Sequence, residues 1–287
     1  MLSRILHQNM KWFYYPPAYL LAKLYLRKWK KHHKQRHCLS QEAFLRVKRA
    51  IKKHLLSPRR KVFHQQMLAA YFVHPGDMVI DVGAHVGAYA KYYSALVGKN
   101  GLVYAYEAHP RVFEELSGRL QGYKNVFCHN FAISKQSDER MKMRIYPEID
   151  HESATVEESL MTSERMPGKT ILIEVTTKSL DSCFLEKSSR CSFMKIDVEG
   201  HEHAVIEGAG KLIQRDKPVI LYEYGSMSIA PKTISQLENL GYISYDCATL
   251  QPVEQGYAAR ESTDLIALPK ERKEEGVITF LKDVSLI

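Results

Sequence analysis

The sequence predicts an α/β fold, a mostly parallel sheet with helices on both faces, behind an N-terminal basic helical arm. Three observations carry that expectation. From about residue 76, short apolar runs alternate with runs of helical period, the rhythm of successive βα units. A glycine turn, Gly83 to Gly87, joins the first apolar run to the first helix. The charge is also split: residues 1–61 hold 17 Lys and Arg against one acid, Glu42, whereas residues 62–287 hold 24 basic and 31 acidic residues. A basic extension on an acidic body points to an arm that meets something anionic.

Residues 1–61 form the arm and residues 62–287 the main domain. Pro16-Pro17 interrupts any helix near the start. Ala18 to Lys31 reads as helix, and Ser40 opens a second one with Phe44, Val47, Ile51 and Leu55 at helical spacing. In the main domain, Met78–Val82 is a buried strand and Ala88–Val97 a helix. Leu102–Tyr106 is the next strand, Pro110 opens a helix to Leu120, and Asn125–Asn130 is a third strand. Residues of about 134–192 break the rhythm. They read as a hairpin-like insertion, Arg140–Ile145 and Ile171–Thr176, around a polar loop. The alternation resumes with strand Phe193–Val198, one helix over Glu199–Ile213, strand Pro218–Tyr224 and helix Ile229–Leu240. Tyr242–Tyr245 and Leu265–Leu268 complete the strands.

Composition narrows the class. With 287 residues, 45% hydrophobic and 25% charged, the chain buries an ordinary core without staples. Its five cysteines include no C-x-x-C pair, and no N-x-S/T acceptor occurs, which favours a reducing, cytoplasmic setting. The aromatic run Trp12–Ala22 stops at Lys23, short of the roughly 20 apolar residues that span a bilayer. Lys11 and Pro16-Pro17 make it a poor signal peptide.

Two segments carry chemistry. Asp81-Val-Gly83-Ala-His85-Val-Gly87 lies between a strand and a helix, where glycines admit a ligand close to the backbone. Glu107 ends the next strand, 20 residues past Gly87, the spacing of a carboxylate that grips a ribose diol. The turn departs from G-x-G-x-x-G and opens with an acid. That suits a ligand bearing an ammonium, such as S-adenosylmethionine, better than a pyrophosphate. The second segment is Lys195-Ile-Asp197-Val-Glu199-Gly200-His201-Glu202-His203, at the strand end where open α/β sheets bind ligands. His201 and His203, two apart, share no helical face and no thiolate joins them, so no metal is expected. An oxygen-ligated magnesium or calcium ion on Asp197 and another carboxylate is the alternative. Tyr92, Tyr93, Tyr222 and Tyr224 read as core before they read as an acceptor pocket.

VIDVGAHVGAY, YAYEAHP, TTKSLD and FMKIDVEGHEHAVIEGA together resemble the FkbM-type S-adenosylmethionine-dependent methyltransferases over roughly residues 62–268. The resemblance implies a class I, Rossmann-like methyltransferase fold of seven strands and methyl transfer to a hydroxyl oxygen, commonly of a glycan or small molecule. It puts Asp81, Gly83, Gly87 and Glu107 on cofactor positions, with His85 where the family often has Asn. Lys195, Asp197, Glu199, Gly200 and Glu202 fall on its second motif. Asp197 is the first candidate for a base, with Glu199, His201 and Glu223 in reserve, and Lys195 would orient Asp197 or hold an acceptor oxygen. The alternatives are an RNA methyltransferase that binds through the arm, although the acidic body makes nucleic acid a poor partner, and a non-catalytic module of the same fold. The arm's Trp12, Phe13, Tyr14, Tyr15, Tyr19, Tyr25 and Trp29 among Lys and Arg fit an anionic membrane surface, which would place the protein peripherally on the inner face of the membrane.

Overall fold

A computed structural model describes residues 60–145, 171–224, 230–247, 251–253, 257 and 263–272. The expected arm helices, Ala18–Lys31 and Ser40–Leu56, and the insertion's polar loop lie outside the described residues. His64–Glu271 forms one compact unit.

Helix α1 (Arg60–Phe72) leads into β1 (Met78–Val82), α2 (Ala88–Val97), β2 (Leu102–Tyr106), α3 (Pro110–Leu120) and β3 (Val126–His129). β4 (Ala132–Ile133), β5 (Arg140–Ile145), β6 (Ile171–Lys178) and α4 (Leu180–Phe184) follow. Then come β7 (Cys191–Ile196), α5 (Glu202–Glu207), α6 (Gly210–Asp216), β8 (Val219–Tyr224) and α7 (Ala230–Asn239). The described residues end with β9 (Tyr242–Asp246), β10 (Pro252–Val253), β11 (Thr263–Pro269) and a 3-10 turn (Lys270–Arg272).

The large sheet runs β10-β9-β11-β8-β7-β1-β2-β3. Its strands β3, β2, β1, β7 and β8 pair in parallel, and β11 is antiparallel to both β8 and β9. This is the expected seven-stranded sheet with one addition: Pro252–Val253 folds back on Tyr245 and Ser244 as an eighth, two-residue edge strand. β1-α2-β2 and β2-α3-β3 step one way across the sheet, whereas β7-α6-β8 and β8-α7-β9 step the other way. Right-handed crossovers therefore put α2 and α3 on one face and α6 and α7 on the opposite one. The direction reverses between β1 and β7, which opens a crevice at their C-terminal ends.

Runs of Val, Ile and Leu, buried on both sides, are what a central parallel strand requires, and every residue of β1 is buried. The core gathers Ile80, Val82, Phe184, Met194, Ile196, Leu212, Ile220 and Tyr222. Tyr222 is fully buried there, its hydroxyl 2.7 Å from Ser244 Oγ, and Tyr93 is fully buried against Phe193. Tyr224 donates to the Tyr257 carbonyl, and Tyr92 to that of Gln66.

The insertion is an antiparallel hairpin, β5 on β6 from Arg140↔Thr176 to Ile145↔Ile171, and β4 extends it into a small second sheet. Several boundaries shift by a residue or two, and two differences from the sequence expectation bear on the site. β7 begins at Cys191 and ends at Ile196, so Asp197 stands just beyond it, although its amide still donates to the Val82 carbonyl at 3.1 Å. The single helix expected over Glu199–Ile213 is two, α5 and α6, broken at Gly208-Ala209. The chain there passes so close to the Ser134 carbonyl that a Cβ on Gly208 would collide with it.

Candidate active site at the sheet's switch point

Strand register builds one row of ionisable groups. Asp81 on β1 pairs with Lys195 on β7, so both side chains point to the same face. Two residues on, Asp197 keeps that face. Glu107 lies two past Ala105, the partner of Asp81, and keeps it as well. Glu223 follows one step after the Ile196↔Tyr222 pair, beside Asp197, and Asp264 on β11 pairs directly with Glu223. The row Glu107, Asp81, Lys195, Asp197, Glu223, Asp264 thus crosses the C-terminal edge on the face that α2 covers.

The turn after β1 is shaped for close approach. Gly83 and Gly87 have φ of 74° and 85°, and a Cβ on Gly83 would collide with the Asp197 carbonyl oxygen. The amides of Gly83 and Ala84 donate to the Tyr106 carbonyl, which ties the turn to β2. His85 takes φ 50°, left-handed without being glycine, because its amide is drawn to Glu107 Oε2 at 2.9 Å. The His109 amide donates to the other oxygen, Oε1, also at 2.9 Å. Burial raises the Glu107 pKa, and these two amides hold the rise back.

Asp81 is wholly buried, and its carboxylate makes no close hydrogen bond: the Ala90 amide and the Lys195 ammonium only help to hold its charge. Burial pushes its pKa up to about 7 against the pull of the Lys195 ammonium, and Asp197 and Glu107 add to the rise. Lys195 Nζ lies 3.8 Å from Asp81 Oδ1 and 3.0 Å from Asp197 Oδ2. Burial alone would lower the lysine pKa, but Asp197, Asp81 and Asp264 outweigh it and hold the ammonium charged. Lys195 is almost sealed, at 3% exposure, while the Asp197 side chain stays 35% exposed. The lysine also sits 4.9 Å from the centre of the Tyr89 ring.

Buried polar atoms without a close hydrogen bond gather here too: both Asp81 oxygens, His85 Nε2, and the Tyr89 and Tyr93 hydroxyls. Native proteins rarely leave such groups unmet, so a cluster of them beside a glycine turn marks where a polar ligand completes the bonding. A ligand with an ammonium and a diol fits this set: Asp81 for the cation, Glu107 for the hydroxyls.

The reserve residues separate. One oxygen each of Asp197, Glu199 and Glu223 lies within 4.8 Å of the others, close enough to share a hard divalent cation. The sequence put such an ion on Asp197 and another carboxylate without saying which, and the structure brings Glu199 and Glu223 to Asp197. His201 goes elsewhere: it is buried, with Nε2 3.0 Å from Ser134 Oγ and its ring edge-on to His203. Sequence reasoning missed Tyr89 and Asp264. Tyr89 had a signal, two residues past Gly87 on the first turn of α2. Asp264 had none, since only the β8–β11 pairing brings it in.

Residues 81–244, more than half of the chain, match the model of the methyltransferase FkbM domain. The chain belongs to the FkbM methyltransferase family. It is therefore an S-adenosylmethionine-dependent methyltransferase. None of the curated proteins matches this FkbM methyltransferase by sequence. Solved structures similar to it include the FkbM methyltransferase of Methylobacillus flagellatus KT, at 12% identity and TM-score 0.44 over 85% of this chain and 58% of that one. Aeropyrum pernix fibrillarin with bound S-adenosyl-L-methionine is 16% identical, at TM-score 0.43 over 70% and 74%. A putative rRNA methylase of Clostridium thermocellum is 11% identical, at TM-score 0.45 over 75% and 97%.

Proposed function

We propose that the protein methylates a hydroxyl oxygen of a glycan or small molecule, with Asp197 as the base. The observation that carries this reading is the Asp197 carboxylate, held 3.0 Å from a buried ammonium and still partly exposed beside the cofactor turn. Bound S-adenosylmethionine supplies a methyl already activated on a sulfonium. Asp81 takes the cofactor's ammonium and Glu107 its ribose hydroxyls. The missing Cβ of Gly83 lets the cofactor turn and the Asp197 backbone interlock, so methyl donor and base are placed by one contact. A neutral hydroxyl must shed its proton as the carbon–oxygen bond forms and the carbon–sulfur bond breaks. Asp197 Oδ accepts that proton, and Lys195 fixes the carboxylate's direction. The buried lysine keeps its charge throughout, so it orients and does not exchange protons.

The carboxylates along β7, β8 and β11 oppose a polyanionic acceptor at this edge, which disfavours RNA. The hydroxyl acceptor rests on the family, and its glycan character on the same ground.

The test pairs Asp197→Asn with labelled S-adenosylmethionine and fractionated cell extract. Wild-type protein is expected to label a saccharide or small-molecule fraction. Asp197→Asn keeps cofactor affinity but loses about 10²–10⁴-fold in transfer, the usual worth of a positioned base. Label in RNA would overturn the acceptor, and undiminished transfer by the variant would overturn the base. Magnesium dependence abolished by a chelator would reassign Asp197, Glu199 and Glu223 to metal binding.

A further inference from the structure

Glu202 is 1% exposed, and no cation pairs with it among the described ion pairs. Its Oε1 instead accepts two backbone N–H groups, from Val198 at 3.1 Å and Gly200 at 3.2 Å. Those amides bracket Glu199, whose φ of 53° lies in the left-handed region that non-glycine residues avoid. Gly200 follows at φ 102°. The turn from Asp197 to Gly200 is thus wound around one oxygen atom, and Glu199 keeps its strained backbone because the amides on both sides are tied down. At its other end the turn is locked to the cofactor loop, since the Asp197 carbonyl fills the space beside Gly83.

We propose that Glu202 is a positioning residue for the acceptor side of the site: by binding the amides of Val198 and Gly200 with a single carboxylate oxygen, it sets where the Asp197 and Glu199 carboxylates stand. The proposal rests on the reading of Asp197 as the base. The role needs an acceptor oxygen at that point and not a negative charge. A glutamine carboxamide offers the same oxygen at the same reach, an aspartate stops one methylene short, and an alanine offers nothing.

The experiment compares Glu202→Gln, Glu202→Asp and Glu202→Ala by amide hydrogen exchange at Val198 and Gly200, by calorimetric S-adenosylmethionine affinity, and by label transfer into the fraction that wild type methylates. Glu202→Gln is expected to keep protection, affinity and transfer. Glu202→Ala loses about tenfold or more in protection at those two amides, as expected when a buried hydrogen-bond partner is removed. Its transfer falls by at least as much while cofactor affinity is little changed. Should the alanine variant fail to fold, Glu202→Asp is read by the same criteria. Unchanged protection at both amides in the folded variant overturns the proposal, as does lost protection with wild-type transfer. A glutamine variant as impaired as alanine overturns it too, because charge would then be the requirement. Protection at Val198 and Gly200 reports on the turn alone, so a failure of Asp197 as base, seen in Asp197→Asn, remains distinguishable from a failure of Glu202.

Discussion

Asp81 combines total burial, a pKa raised to about 7 and a carboxylate whose neighbouring cation, Lys195, stands as far as 3.8 Å away. Lys195 only partly offsets the cost of carrying the charge there, so if Asp81 takes the cofactor's ammonium, as proposed, binding and ionisation of Asp81 are linked. A ligand ammonium lowers the Asp81 pKa, and the complex releases a proton when it forms below about pH 7. Affinity for S-adenosylmethionine should therefore climb with pH, by up to about tenfold per unit, and level near pH 7. Above about pH 8 it should fall again as the ligand's own α-amino group loses its proton. Glu107, also raised, contributes in the same direction, and Lys195 stays charged across the range. Calorimetry from pH 5 to 9 checks this in wild type and in Asp81→Asn, where the acid limb should flatten; an equally steep limb in the variant would remove Asp81 from the ammonium's binding. In the free protein the sign is opposite. A carboxyl raised from 3.8 to about 7 gives stability that is full at acid pH and is lost as pH rises through neutrality, and bound cofactor offsets that loss.

The β1–α2 turn is the element on which donor and base would meet in the proposed reaction, and its two glycines are unequal. At Gly83 a Cβ meets backbone, the Asp197 carbonyl oxygen, at positive φ. Neither chain can yield without moving Asp197. At Gly87 a Cβ meets side-chain carbons of Leu116 and Leu120 at 2.7 Å, also at positive φ. Those contacts are with the ends of side chains, which can shift where backbone cannot, so the cost is left-handed strain of about 1–2 kcal/mol plus repacking of two buried leucines. Gly83→Ala should abolish cofactor binding and lower the melting temperature well beyond Gly87→Ala, which should keep measurable binding. Thermal unfolding and calorimetry on both variants check the order, and a reversed order would mean the turn is not pinned by Asp197. Elements of this kind were legible in the sequence. Met78–Val82 and Ala88–Val97 stand where periodicity and the glycines put them, and Asp81 and Lys195 meet because both precede turns on central strands. What was hidden depends on long-range pairing. Asp264 reaches Glu223 only through the antiparallel β11, and His201 reaches Ser134 across 67 positions. The break between α5 and α6 comes from a backbone approach to Ser134 that no local propensity encodes.

At the scale of the whole molecule, the acidic crevice and the basic arm ask for different surroundings. The edge that would receive the acceptor is lined by Asp197, Glu199, Glu223 and Asp264, whereas residues 1–61 carry 17 basic residues among seven Trp, Tyr and Phe between Trp12 and Trp29. No helix among the described residues is long and apolar enough to cross a membrane. We propose that the arm binds an anionic membrane surface: aromatic rings settle at headgroup depth, and each Lys or Arg near the surface adds about 1 kcal/mol. A handful of such contacts holds a protein at moderate salt, and the repelled acidic body would face away from the lipid, toward an acceptor displayed above it. Vesicle flotation compares the full chain with one starting at Arg60, which keeps α1. The full chain should float with phosphatidylserine vesicles at low salt, weaken as salt rises and ignore neutral vesicles. The shortened chain should stay at the bottom, yet bind S-adenosylmethionine as before. If both sediment, or if the shortened chain loses cofactor binding together with its fold, the arm is a structural cover for the enzyme body and the membrane has no part in holding it.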